Sequence, residues 1–142
     1  MLLAKIVHVI GNIVWLGGGV AAAFAMAFLA SESRETRLAA ARALRKLVLV
    51  LVTPGMVVSL AAGLFMLMID WSELYSKAPW MHAKLTVGLV AAAFSGVLTG
   101  KLRRAAATGE DVSANSMKLA GSVLLLSAIA NVFFVFLRFG QH

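Results

Sequence analysis

The sequence contains no cysteine, which excludes disulfides, thiolate nucleophiles, iron–sulfur clusters and cysteine zinc sites. It has two prolines, one tyrosine and six acidic residues, and charged residues make up only 13% of it. A soluble domain carries about 25% charge, so this chain is too poor in charge to present a water-facing surface all round. Several catalytic signatures are also absent. There is no Walker loop, no Rossmann glycine fingerprint and no serine-centred hydrolase elbow. The run Gly17-Gly18-Gly19 lies inside an apolar stretch and is not a phosphate cradle.

What the sequence has in abundance is apolar length. Hydrophobic residues make up 61% of the 142 positions, and the mean hydropathy is +0.92. Four apolar runs stand out, roughly Ile6–Leu29, Leu47–Ile69, Met81–Gly100 and Met117–Leu137. Each is about 20 residues or longer, enough for a helix to cross a hydrocarbon core of about 30 Å. The alternation that marks membrane strands is missing. The expected fold is an all-α membrane protein, a four-transmembrane-helix bundle forming one domain over residues 1–142. The first run is too long for a cleavable signal and is read as part of the bundle.

The formal net charge of +7 raises the question of nucleic acid. Arg34, Arg37, Arg42, Arg45, Lys46, Lys101, Arg103, Arg104 and Lys118, nine of the thirteen basic residues, fall in or beside the first and third connections. Membrane topology explains that distribution, and no nucleic-acid partner is expected. The positive-inside rule puts those two connections in the cytoplasm, in a bacterial inner membrane, with both termini outside. The second connection, Asp70–Trp80, carries Trp71, Tyr75 and Trp80 and suits the opposite membrane–water interface. The segment Ser31–Lys46 is basic, with Leu38, Ala41 and Leu44 at helical spacing, and reads as an extension of the first or second helix. Pro54 should kink the second helix.

The candidate site lies toward the outer ends. Ionisable residues in a membrane span are costly and mark function by default. His8, Asn12 and Trp15 recur at four- and three-residue spacing and share one helix face. His82 and Lys84 open the third apolar run, directly after Trp80. Counted from the outer ends of the runs, His8 and His82 fall at one level, with Asn131 and Arg138 in the same half. Two imidazoles at one level are expected to ligate a haem b iron from both faces. Lys84, Arg138 and Lys5 would pair with its propionates, and the glycines of the first helix would admit the porphyrin face. Each residue also has a plainer reading: an interfacial histidine, a snorkelling lysine, a helix-bridging asparagine, a packing tryptophan. His142 is assigned no role.

The order of these features resembles a known family. A first-helix histidine followed by Trp15, a basic connection, Pro54-Gly55-Met56, and an outer loop ending in Trp80-Met81-His82-Ala83-Lys84 are similar to the membrane-embedded, haem-containing protoporphyrinogen IX oxidases of the HemJ type. The related copper-resistance D membrane proteins are similar as well. The resemblance spans about Ala4–Arg104. It implies a haem b protein that oxidises protoporphyrinogen IX, a tetrapyrrole substrate, and passes electrons to a quinone or respiratory acceptor. By the same resemblance His8, His82 and Lys84 match family motif positions, and Trp15, Pro54 and Trp80 match accompanying ones.

Two other classes stay open from the residues alone. The first is a copper- or metal-handling or transport protein, to which the seven methionines lend soft thioether donors. The second is a structural subunit packing through its glycine and alanine faces. Homo-oligomerisation through those faces is expected under every one of these readings.

Overall fold

The computed structural model describes residues 1–139, except for the side chains at positions 73, 74, 138 and 139. His142 lies outside the described residues, as does the side chain of Arg138. The described residues form four long helices: α1 (Leu2–Ser31), α2 (Arg34–Asp70), α3 (Pro79–Thr108) and α4 (Ala114–Phe139). All four are long and apolar enough to cross a membrane. No strand occurs among the described residues. Leu3, Ile13, Met68, Leu89, Leu126 and Phe136 lie exposed on the outside of the bundle, where lipid in place of water makes exposure inexpensive. The chain is an all-α membrane bundle.

The helices outrun the apolar segments at both ends. The basic segment after α1 belongs to α2, which begins at Arg34 behind a Ser33 cap accepting from the Thr36 amide at 3.3 Å. Its spaced apolar positions explain why. Ala41 is fully buried and Leu44 half-buried, and the segment Arg34–Leu47 packs on α3. Arg37 pairs with Asp111, Arg34 donates to the Thr108 carbonyl at 3.4 Å, and Arg42 donates to the Ala106 carbonyl at 3.4 Å. The first and third connections therefore share one end of the bundle, the basic end. The turn between α3 and α4 is made by Gly109, whose φ of 67° favours glycine.

Pro54 acts on the turn before it. Lacking an N–H and crowding the carbonyl four residues back, it stands just after a π-helical turn over Val48–Val52. A second π-helical turn, Ile13–Gly17, interrupts α1 and packs against the first. Single π turns of this kind absorb a local mismatch in the hydrogen-bond ladder.

Packing is densest toward the basic end. There Gly18–Phe28 and α3 both pack on α4, burying Met26, Leu98, Leu102, Met117 and Leu124. Toward the other, aromatic end, the main partner of Leu2–Asn12 is Thr53–Asp70. Glycine makes that crossing close. A Cβ on Gly11 would stand 2.9 Å from both the Gly55 carbonyl oxygen and the Ser59 amide nitrogen. Of the remaining first-helix glycines, a Cβ on Gly17 would meet nothing within 4 Å and two others are taken up by packing. Gly18 faces Val52 and Gly19 faces Leu124, so helix packing, and no porphyrin face, occupies them.

Candidate functional site

His8 is held between α1 and α2. Its Nδ1 donates to the main-chain carbonyl of Ser59 at 2.7 Å, and the Ser59 hydroxyl donates back to the His8 carbonyl at 3.2 Å. Because a carbonyl only accepts, Nδ1 carries the proton. The lone pair is then on Nε2, where it accepts from the Asn12 amide at 3.1 Å. The ring lies on Gly63, where a Cβ would come within 2.9 Å of its Cε1. Gly55, Ser59 and Gly63 thus form a small-residue ridge at four-residue spacing, and α1 lies on it. Lys84, half-buried on α3, is near enough for its charge to act on the His8 ring.

His82 is placed elsewhere. Its ring is exposed, Nε2 donates to the Ser76 carbonyl at 3.2 Å, and its edge meets Trp71 with centroids 5.7 Å apart at 86°. Gly63 on α2, beside the His8 ring, and Trp71, in the helical turn Trp71–Tyr75 that follows α2 and beside the His82 ring, are eight positions apart in sequence, about 12 Å of helix rise. The two imidazoles thus have separate partners, Ser59 and Asn12 for His8 and Ser76 and Trp71 for His82.

The remaining expected residues divide between the two places. Asn12 stands on the His8 Nε2 as its helix spacing predicts. Trp15 does not join the site. It is buried at the α1–α3 contact, where Nε1 donates to the Ser95 hydroxyl at 2.8 Å. Trp80 packs edge-on against buried Tyr75, centroids 5.9 Å apart, and belongs to the aromatic end with His82. Ser59 and Gly63 were missed. Their signal was the small-residue ridge itself, which the sequence spells out from Gly55 onward.

The chemistry open to His8 follows from its bonding. A histidine whose Nδ1–H is fixed on a carbonyl presents Nε2 as a donor of set direction, the usual arrangement for a metal-ligating imidazole. Among the described residues, no three His, Cys, Asp or Glu side chains gather where they could hold a metal ion. A bare cation usually needs about three or four protein donors. Haem iron brings its own ring nitrogens and needs only one histidine. Of the groups expected from the sequence, haem is the one that so small a donor set fits.

Four long apolar helices closed around a buried glycine-lined crossing define the class: an integral membrane helix bundle. Within it, the chain belongs to the DUF2269 family, described as a predicted integral membrane protein, whose family model matches residues 2–139. That match singles out neither the HemJ-type oxidases nor the copper-resistance D proteins. No curated protein and no solved structure matches the chain.

Proposed function

We propose that this protein is a membrane haem b-binding redox protein in which His8 is the histidine ligand, through Nε2. The observation that supports it is the 2.7 Å bond from His8 Nδ1 to the Ser59 carbonyl, which leaves an oriented lone pair on Nε2 inside a membrane bundle. Haem bound there supplies one-electron oxidation and reduction. The chain's own residues prepare the place. Ser59 fixes the ring, Asn12 covers Nε2 until a ligand displaces its amide, and Lys84 offers a cation for a propionate.

Held by one protein residue, haem would supply electron transfer with a substrate as well as with an acceptor. That suits the finer reading carried by the sequence resemblance, oxidation of protoporphyrinogen IX with electrons passed to a quinone or respiratory acceptor in a bacterial inner membrane. Under that reading Lys84 would meet a carboxylate of the tetrapyrrole substrate in place of a haem propionate. The test is the visible spectrum of the purified protein. A Soret band in the wild type that disappears in His8→Ala supports the proposal, and a colourless protein that takes up no added haem removes it.

A further inference from the structure

A second feature lies at the basic end, away from His8. A cavity of about 430 Å³ opens sideways between α2 and α3. Its α2 wall is Leu49, Val52 and Met56, and its α3 wall is built round Gly96 and Gly100. A Cβ on either glycine would meet nothing within 4 Å. Glycine in a membrane helix usually permits close approach of a neighbouring helix. Here nothing among the described residues comes within 4 Å of such a Cβ, so these glycines border an open slot on the side of the bundle. At its inner mouth stands Arg103, and from Leu49 a second cavity of about 310 Å³ continues toward Arg42, Arg45 and Lys46.

The four cations sit where the apolar run of α2 begins, which is the depth of lipid headgroups. Arg42 is aimed by its bond to the Ala106 carbonyl. Among the described residues none of the four forms an ion pair, and the acidic Asp111 at this end is taken by Arg37. A basic mouth leading into an apolar slot matches an anion carrying a hydrocarbon tail. Basic pockets between transmembrane helices take such headgroups on general electrostatic grounds. We infer that the α2–α3 groove holds an anionic phospholipid, its phosphate among Arg42, Arg45, Lys46 and Arg103 and one acyl chain along Gly96 and Gly100.

Native mass spectrometry of the intact protein, delipidated and then offered phosphatidylglycerol or phosphatidylcholine of the same chains, tests this. The wild type should retain one phosphatidylglycerol in preference to phosphatidylcholine. Arg45→Gln with Lys46→Gln should reduce that preference by roughly tenfold or more. Gly96→Leu, which places its side chain in open space, should reduce retention of both lipids. Equal retention of the two lipids by the wild type would overturn the inference. So would displacement of the lipid by inorganic phosphate alone, which would make the site an anion site without a tail. A Gly96→Cys variant that cross-links to Gly96→Cys of a second copy would overturn it too, by making the groove an interface between copies.

Discussion

His8 and Ser59 exchange hydrogen bonds across the α1–α2 crossing. The imidazole Nδ1 donates to the Ser59 carbonyl at 2.7 Å, and the Ser59 hydroxyl donates to the His8 carbonyl at 3.2 Å. This reciprocal pair joins the packing of the bundle to the chemistry proposed for it. The bonds form only because Gly11, Gly55 and Gly63 let the two backbones approach.

Gly11→Ala should therefore disturb both. Its Cβ would press on main-chain atoms of Gly55 and Ser59 at 2.9 Å, and neither can yield as a flexible side chain would. The expected loss is about 1–3 kcal/mol of stability, read by denaturation in detergent, together with weakened haem uptake. Gly96→Ala, whose Cβ meets nothing within 4 Å, should change stability little. Equal effects of the two substitutions would contradict the packing described.

Trp15→Phe separates structure from site. The substitution removes the 2.8 Å bond from Nε1 to Ser95, while the Ser95 hydroxyl keeps its 2.9 Å bond to the Ala91 carbonyl. Stability should fall by about 1 kcal/mol, and the haem spectrum should be unchanged. A shifted spectrum would place Trp15 at the haem after all.

Asn12→Ala uncovers the His8 Nε2. The protein without haem should lose about 1 kcal/mol of stability with that bond. Haem affinity, measured by titration with haemin, should be equal to or tighter than wild type, since no amide need be displaced. An affinity as low as that of His8→Ala would show that Asn12 itself holds the ligand.

Lys84→Gln removes a cation whose charge acts on the His8 ring while keeping a similar shape. Haem should bind about tenfold more weakly, the scale of one charge-assisted contact in a partly buried place. The absorption maxima should stay in position because the iron ligand is untouched. Unchanged affinity at low and high salt would remove Lys84 from propionate binding.

Much of the fold could be read from the apolar runs, because a membrane helix must satisfy its backbone within one segment. The basic segment Ser31–Lys46 needed a second signal, the helical spacing that read it as a helix extension, and from Arg34 it forms the start of α2. Charge density rises at Arg34–Lys46 and Lys101–Arg104, yet helical spacing continues through both, and tertiary contacts such as that of Ala41 keep them helical. The site was half legible. Four-residue spacing was enough to put Asn12 beside His8. The contacts of His82 with Ser76 and Trp71 were not legible, because they depend on the helical turn Trp71–Tyr75 that follows α2. The partner of His8 is a main-chain carbonyl, which no side-chain pattern announces.

The central claim rests on one histidine, so the decisive measurement compares three proteins: wild type, His8→Ala and His82→Ala. Each is purified in detergent, loaded with haem, and examined oxidised, dithionite-reduced and under carbon monoxide. The account predicts a Soret band in wild type and in His82→Ala, a carbon monoxide shift in both, and loss of the band in His8→Ala. Equal loss in both variants, with no carbon monoxide shift in the wild type, would mean that the two imidazoles share one iron, contradicting the single-histidine site.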